Sequence, residues 1–173
     1  SAKLTNVKFQ YAKLYKTILA DTDFTNVDAK KANFCGQNLS DKIFFGANLS
    51  GADLAYSNLV YAQLKNANIS NALLKGANLS GVDLSYRDLS NINFRGANLF
   101  AANLEGADLT GADLRGANLI NANLKHANLE KSKLTGTELD QTDTEDANIS
   151  GIIYEEFENE ISANAKKLQK KSN

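Results

Sequence analysis

A repeat of five residues runs through most of this sequence and limits the folds that the chain can adopt. Every fifth position from Leu4 to Ile149 holds a large apolar residue at almost every step, with no insertion or deletion. The residue two positions earlier is small, most often Ala, and the residue between them is usually Asn or Asp. A period of five fits neither the α-helix, with about 3.6 residues per turn, nor the alternation of a β-strand. We therefore expect a backbone that turns a corner in every pentapeptide.

The residue types at the last position of each pentapeptide indicate that corner. All eleven glycines occupy it, and Asn, Asp and His126 fill further copies. These residue types tolerate the positive φ that a type II turn requires at its third position. We predict a different turn, with negative φ, at the nine copies that hold other residues: Tyr11, Lys16, Lys31, Tyr56, Tyr61, Tyr86, Ala101, Lys131 and Gln141.

The unit small–Asn/Asp–Leu/Phe–x–x resembles the pentapeptide-repeat family, A(D/N)LXX. The resemblance covers residues 1–151 and is closest from Ala97-Asn98-Leu99 to Ala127-Asn128-Leu129. It implies an all-β solenoid, a right-handed quadrilateral parallel β-helix with four pentapeptides per coil. Thirty units then give about 7.5 four-sided coils, and a rod about 36 Å long at a strand spacing of about 4.8 Å.

Four pentapeptides per coil would stack residues that lie twenty apart. One such column consists only of leucine, and we predict that it forms a buried ladder: Leu19, Leu39, Leu59, Leu79, Leu99, Leu119 and Leu139. The bulky Phe24, Phe34 and Phe44 surround Ala29, the one undersized central residue. We expect the rings to fill the space that Ala29 leaves, because protein cores pack at nearly crystalline density.

The two ends of the repeat differ. Residues 152–173 are predicted to form an amphipathic helix that caps the last coil, because Ile153, Phe157, Ile161 and Leu168 share one helical face and acids precede bases along it. The alternative is a basic helix that binds a membrane or a partner. The first coil has no comparable cap. Either residues are missing before Ser1, or this coil forms an end-to-end homodimer.

Two surfaces are candidates for binding. Lys75, Arg95 and Arg115 would stack into a basic ridge, which predicts either an anionic partner or an ordinary solvated face. The leucine-ladder face holds Asn38, Asn58, Asn78, Asn98 and Asn118, whose amides we expect to bond to one another and to the backbone. The same face has acids (Asp21, Asp41, Glu138, Asp140) and a group of apolar residues: Val60, Tyr61, Phe100 and Ile120. Clustered apolar groups on a surface often mark an interface, so this is our candidate partner-binding face.

Several residues break the repeat. Arg87, Gln37 and Lys42 stand where a small residue is usual. An unpaired charge is costly to bury, so we expect Arg87 either to bulge the backbone or to extend outward. The departures concentrate in residues 37–45, where we expect local irregularity, which either marks a functional loop or reflects decay of the repeat.

Composition and motifs argue against catalysis. The 173 residues carry 19 basic and 20 acidic side chains, a net charge of −1, which disfavours direct nucleic-acid binding. No apolar run could span a bilayer. Gly106-x4-Gly111 lacks the Lys and Ser/Thr of a phosphate-binding loop, and Cys35 and His126 are too far apart to act together. We therefore predict no enzyme activity, no metal and no cofactor.

The sequence favours a non-enzymatic scaffold that binds an unidentified protein through the surface of a rigid rod. The alternative, implied by the resemblance, is a DNA mimic that binds a type II topoisomerase, as in quinolone-resistance proteins. A third is a structural or stress-related role of the cyanobacterial type. The location is predicted to be soluble, and either cytoplasmic or, with a targeting segment removed, periplasmic or in the thylakoid lumen.

Overall fold

A computed structural model describes residues 2–4, 6–15, 17–20 and 22–153. Strands β1 (Ala2–Lys3) and β2 (Thr22–Asp23) pair in parallel, with Ala2 opposite Thr22. The pairing then continues as single parallel bridges, each joining a residue to one twenty positions later, from Lys8 with Asp28 to Lys133 with Ile153. This register gives four pentapeptides per coil, as the resemblance implies, and the chain is a β-helical solenoid.

Nearly all the described corners are built in the same way. The carbonyl of the central residue accepts a hydrogen bond from the backbone N–H three residues later, as in Val7 to Leu4 (3.0 Å) and Ala52 to Leu49 (2.9 Å). The residue before that N–H has a positive φ at every described copy, whether or not it is glycine. The prediction of negative φ at the non-glycine copies was wrong. Lys16 lies outside the described residues, and the other eight copies have φ between 52° and 59°.

The uniform corner has a physical reason. The N–H of the positive-φ residue also donates to the next coil, as from Tyr56 to the Lys75 carbonyl (2.9 Å) and from Ala101 to the Ile120 carbonyl (3.0 Å). A turn with negative φ would misdirect that donor and interrupt the ladder. The left-handed conformation costs an ordinary residue about 1–2 kcal/mol, comparable to the loss of a buried backbone hydrogen bond.

Four faces follow from the four corners, and we number them in chain order by their central residues. Face 1 contains Phe24, Phe44, Leu64, Leu84, Leu104 and Leu124, and face 2 contains Ala29, Leu49, Ile69, Leu89, Leu109 and Leu129. Face 3 contains Phe34, Leu54, Leu74, Phe94, Leu114 and Leu134, and face 4 contains the leucine ladder. These side chains and the small residues beside them fill the interior of the rod.

The aromatic cluster in the second and third coils matches the packing expected from the sequence. Phe24 and Phe44 stack with ring centroids 4.9 Å apart, and Phe34 meets Phe24 edge to face at 5.9 Å. Ala29 is fully buried beside them. The large rings therefore compensate for the one undersized central side chain.

The ends of the described chain are less well covered. Leu4, Phe9, Leu14 and Leu19 are only partly buried, so Leu19 is less enclosed than the other ladder leucines. At the other end, Ile153 pairs with Lys133 and still belongs to the solenoid, which corrects the predicted helix start at residue 152. The remainder of the predicted helix, residues 154–173, lies outside the described residues.

Candidate protein-binding surface

The polar residue of each pentapeptide is held by its own corner. On face 4 the side-chain oxygens of the asparagine column accept the backbone N–H two residues later, at 2.9–3.2 Å, in all five copies: Asn38, Asn58, Asn78, Asn98 and Asn118. This bond fixes the orientation of each side-chain amide. Because the oxygen faces the turn, the NH₂ group is the part of each amide left for other partners.

The amide column of face 4 differs from those of faces 1 and 2. On face 1, Asn123 donates to Asn103 (3.2 Å), and on face 2, Asn148 donates to Asn128 (2.9 Å). On face 4, only Asn58 donates along the column, to Asn38 (3.2 Å). The NH₂ groups of Asn78, Asn98 and Asn118 have no hydrogen-bond partner within the described chain. We call these three residues the donor column.

The four apolar residues of the predicted binding face lie at the corner between faces 4 and 1. Val60, Phe100 and Ile120 occupy one column at that corner, and Phe100 and Ile120 are on adjacent coils, since Ala101 N–H bonds to the Ile120 carbonyl. Phe100 is 41% exposed and Tyr61 64%, whereas Val60 and Ile120 are half-buried. Ser80 interrupts the column between Val60 and Phe100.

The ring of Tyr61 bridges that interruption. A Cβ placed on Gly81 would lie 2.3 Å from Tyr61 Cε1, so the ring occupies the space directly over Gly81, on the coil that contains Ser80. The ring therefore places an apolar side chain on the Ser80 coil, between the coil of Val60 and the coil of Phe100. We call Val60, Tyr61, Phe100 and Ile120 the apolar strip. From Val60 to Ile120 it crosses three successive spacings between coils, or about 14 Å at about 4.8 Å per spacing.

The sequence analysis did not identify this dependence of a tyrosine on a glycine twenty residues later. Tyr56 covers Gly76 and Tyr86 covers Gly106 in the same way, with aromatic carbons 2.5–2.6 Å from where a Cβ would be. In these three pairs the tyrosine at a positive-φ corner points its ring toward the next coil, where the glycine leaves room for it. In the sequence this dependence is visible as a tyrosine followed by a glycine twenty residues later, in the pairs Tyr56/Gly76, Tyr61/Gly81 and Tyr86/Gly106.

The predicted basic ridge is reduced by one local ion pair. Lys75, Arg95 and Arg115 follow one another on successive coils at the corner after face 3. Arg115, however, forms a bidentate pair with Asp113, with Nε to Oδ1 at 2.8 Å and Nη2 to Oδ2 at 2.6 Å. This hydrogen bond, opposed by partial burial, holds the pKa of Asp113 below its usual value. Lys75 lies 5.9 Å from the centroid of the Tyr56 ring.

A polar network that the sequence analysis missed lies near the corner after face 1. Tyr86 Oη donates to Glu105 Oε1 (2.6 Å), which raises the pKa of Tyr86 and lowers that of Glu105. On later coils Lys125 pairs with Glu145 (2.6 Å) and His126 faces Asp146 (3.6 Å). Acids and bases alternate along this corner, with Lys125 between Glu105 and Glu145 on successive coils.

Three polar residues in the small slot make the same kind of hydrogen bond to the preceding coil. Thr137 and Thr142 each donate to the central carbonyl 23 residues earlier, both at 2.7 Å. Gln37 makes the same contact to Leu14 (2.5 Å). Residues 37–45 keep their turns and their pairing to the following coil, so the expected irregularity is confined to the missing bridge between Ile18 and Asn38.

Arg87 does not extend outward, which was one of the two alternatives expected for it. Its guanidinium neither extends into solvent nor lies unpaired, but donates through Nη1 to the Ala67 carbonyl (2.6 Å) and through Nη2 to the Leu64 carbonyl. The side chain is half-buried, and the loss of solvation lowers the pKa of Arg87, while Asp83 opposes this shift.

Within the described residues, no three His, Cys, Asp or Glu side chains are arranged to hold a metal ion. Cys35 is half-buried and lies at the corner between faces 3 and 4, whereas His126 lies at the corner between faces 1 and 2. The described part of the chain also forms no helix with the length and hydropathy of a membrane span.

Comparison with known proteins agrees with the repeat. The Pentapeptide repeats family profile matches in eight copies over residues 2–41, 43–81, 77–116 and 112–151. The chain therefore belongs to the pentapeptide-repeat family, whose fold is a β-helical solenoid. Among curated proteins, a search found no match.

Several solved structures are similar to this chain. HetL from the cyanobacterium Nostoc sp. strain PCC 7120, a protein involved in heterocyst differentiation regulation, is 32% identical, with 88% of this chain and 84% of that chain covered and a TM-score of 0.40. A thylakoid-lumen protein of Arabidopsis thaliana is 29% identical over 79% of this chain and 77% of its own, with a TM-score of 0.37. The fluoroquinolone resistance protein QnrB1 is 21% identical over 98% and 89%, with a TM-score of 0.41.

Proposed function

We propose that this chain is a non-enzymatic scaffold that binds a protein partner through the apolar strip and the donor column. The observation that carries the proposal is the Tyr61 ring over Gly81, which places an apolar side chain on the coil between Val60 and Phe100. Surface apolar residues are usually scattered singly, and a group of them beside unused polar groups is typical of an interface.

The donor column specifies the chemistry of the partner. Asn78, Asn98 and Asn118 lie on face 4 next to the strip, and their NH₂ groups can only donate. A matching partner has apolar side chains to cover Phe100 and Ile120, and carbonyl or carboxylate oxygens to accept from the amides. Aromatic anchors surrounded by hydrogen bonds are the usual anatomy of such a contact.

A pull-down from lysate with two double variants tests the strip. Phe100→Lys with Ile120→Lys places two charges on it, and Phe45→Lys with Leu73→Lys makes the same change at exposed apolar residues elsewhere on the rod. We expect a partner that is retained by the wild type and the control and lost by the strip variant. Equal retention by both variants would reject this surface.

The donor column has its own conservative variant. Asn98→Asp replaces the NH₂ donor by an acceptor, and keeps the bond to the turn, because Asp108 makes that bond to Thr110 N–H (2.9 Å) in another coil. Asn68→Asp on face 2 is the matched control. We expect Asn98→Asp to weaken partner binding at least tenfold, since it also places a charge against the acceptors of the partner. Unchanged affinity would remove the donor column from the interface.

The topoisomerase alternative is separated by the identity of the captured protein and by a supercoiling assay. A DNA mimic should retain gyrase and protect its supercoiling activity from a fluoroquinolone. Neutralising Asp41 and Asp140 should abolish the protection, whereas it should leave capture by the apolar strip intact. Asp21, the third acid predicted for this role, lies outside the described residues.

We further propose self-association through the first coil, where Leu4, Phe9, Leu14 and Leu19 are partly buried and Ile18 is 94% exposed. Sedimentation at micromolar concentration tests it, and a monomer that is unchanged by Ile18→Lys would reject it.

We also propose the right-handed quadrilateral form of the solenoid and a helical cap within residues 154–173. Truncation after Gly151 should then remove a helical circular-dichroism signal at 222 nm.

A further inference from the structure

The hydrogen-bond ladder is interrupted between two successive coils in the middle of the rod. In the coil that contains Phe44 and Leu49, the N–H groups of these two residues donate to the next coil at 2.9 and 2.7 Å. Two coils further along, the N–H groups of Leu84 and Leu89 donate in the same way at 2.7 and 2.8 Å. The equivalent N–H groups of Leu64 and Ile69 have no backbone partner. The same holds for Asn66, Asn71, Asp83 and Asp88, all within the described chain.

The bridges show the same interruption. Gln63 does not pair with Asp83, and Asn68 does not pair with Asp88, although both columns are paired in the coils before and after. On face 4, in contrast, Asn58 and Asn78 are paired, with Leu59 N–H to the Asn78 carbonyl at 2.7 Å. The two coils are therefore separated on faces 1 and 2 and joined on face 4. We call the separated region the seam.

Arg87 lies in the seam and accounts for it. It occupies the small slot at the corner from face 1 to face 2, and its guanidinium reaches the Leu64 and Ala67 carbonyls of the preceding coil. The Ala67 carbonyl would otherwise accept Asp88 N–H, as the Ala107 carbonyl accepts Asn128 N–H at 2.9 Å. The corner at Arg87 also lacks the bond from its own N–H to the Leu84 carbonyl.

The size of the side chain explains why the two threonines in this slot do not separate the coils. Thr137 and Thr142 bond to the preceding coil, and the bridges beside them, Asn118 with Glu138 and Asn123 with Asp143, are intact. A guanidinium is too large to fit between coils at the normal strand spacing of about 4.8 Å. It therefore takes over two carbonyls and displaces the N–H groups that would have bonded across.

Core burial changes at the same place. Leu64 and Ile69, which lie beside the seam, are 3% and 4% exposed, whereas Leu104 and Leu109, two coils later in the same columns, are fully buried. Leu64 and Ile69 are thus slightly less enclosed than those leucines, although they are still buried. Amides without a hydrogen bond near solvent belong to the least protected class in native proteins.

We propose that Arg87 makes the seam a hinge, which divides the rod into two blocks that open on faces 1 and 2 about the bonded face 4. The block before the hinge carries Val60 and Tyr61, and the block after it carries Phe100 and Ile120. The angle between blocks therefore sets how the two halves of the apolar strip are presented, although the hinge itself does not depend on the strip being a binding site.

Hydrogen exchange of the full chain, read by amide position, tests the hinge. The amides of Leu64, Asn66, Ile69 and Asn71 should exchange at least about tenfold faster than those of Leu84, Tyr86, Leu89 and Asn91, which are bonded across to the next coil. Arg87→Ala restores the usual residue of this slot, so we expect the seam to close and exchange to slow to the rate of the neighbouring coils. Arg95→Ala, an exposed arginine of the same coil at the corner after face 3, is the control.

A second variant covers the case in which Arg87→Ala does not fold. Arg87→Thr places in the slot a residue that keeps the ladder intact at Thr137 and Thr142, and it should slow exchange as Ala does. The hinge is rejected if residues 64–71 of the wild type exchange as slowly as residues 84–91. It is also rejected if the folded Ala or Thr variant exchanges as fast as the wild type, because Arg87 would then not be the cause.

Discussion

The contact between Tyr61 and Gly81 gives a prediction that separates two effects of a single methyl group. Gly81→Ala and Gly96→Ala both add a Cβ at a corner, with φ of +68° and +66°. At Gly96 nothing lies within 4 Å of the new atom, whereas at Gly81 it would lie 2.3 Å from Tyr61 Cε1. The backbone effect is therefore the same at both sites, and only Gly81→Ala displaces a ring.

The magnitudes follow from these geometries. A positive φ costs alanine about 1–2 kcal/mol, and the lower entropy of the unfolded alanine chain offsets about 0.5–1 kcal/mol of that. Gly96→Ala should thus lower the free energy of unfolding by about 0.5–1 kcal/mol. Gly81→Ala must also move the Tyr61 ring out of its preferred position, at about 0.5–1.5 kcal/mol more. Because Tyr61 is largely exposed, the ring can swing aside, which keeps the total well below that of a core clash.

Urea denaturation followed by circular dichroism measures both changes, and a double-mutant cycle with Tyr61→Ala isolates the contact. In the Tyr61→Ala background, Gly81→Ala should fall to the value of Gly96→Ala, which gives a coupling energy of about 0.5–1.5 kcal/mol. Comparable m values are required, since solenoids can lose cooperativity. Equal destabilisation by Gly81→Ala and Gly96→Ala in the wild-type background would refute the proposed position of the ring.

Three further predictions follow from burial and charge. Leu99→Ala, in the fully buried ladder, should lower the free energy of unfolding by about 2–5 kcal/mol, whereas Phe100→Ala beside it should change it by under about 0.5 kcal/mol, both measured in urea. Ser132 Oγ is buried without a hydrogen-bond partner, so Ser132→Ala should raise the melting temperature, while Ser57→Ala, which loses a 2.7 Å bond to the Leu54 carbonyl, should lower it. The carboxylate of Asp113 has a lowered pKa, so its contribution to stability is complete above the ordinary value of 3.8 and is lost as the pH falls through its lower folded pKa. Asp113→Asn introduces the residue that Asn93 already provides in the same column. The melting temperature of this variant should therefore fall less steeply below about pH 4 than that of the wild type.

Much of the fold could be read from the sequence because the repeat is local. Each pentapeptide contains the small residue, the central apolar residue and the corner, so the positions of Leu39, Leu99 and the Phe24 cluster follow from counting. The bond from the turn to each asparagine of face 4 was also predictable, as at Asn98, whereas the expected bonds between amides reduce, within the described chain, to the one from Asn58 to Asn38. The prediction failed at corners such as Tyr56 and Ala101, where local preference opposes positive φ and the ladder between coils decides the conformation.

The candidate surface could be predicted only in part. The residues of the apolar strip were identified from their column, but the placement of the Tyr61 ring over Gly81 depends on a contact between different coils. Arg115 was predicted to contribute to the basic ridge, although Asp113 two residues earlier is its partner. The hinge was not predicted at all, because the sequence identifies Arg87 as unusual without indicating which carbonyls it reaches.

The sequence by itself therefore determined the repeat, the corners and the identity of the core side chains, because these depend on contacts within five residues and on a fixed period. Only the tertiary structure decided how side chains meet across coils, as in Tyr61 with Gly81 and Arg87 with Leu64 and Ala67. The physical reason is distance along the chain. Residues about twenty apart become neighbours only when the coils stack, and at a spacing of about 4.8 Å a single large side chain determines whether the ladder between them closes.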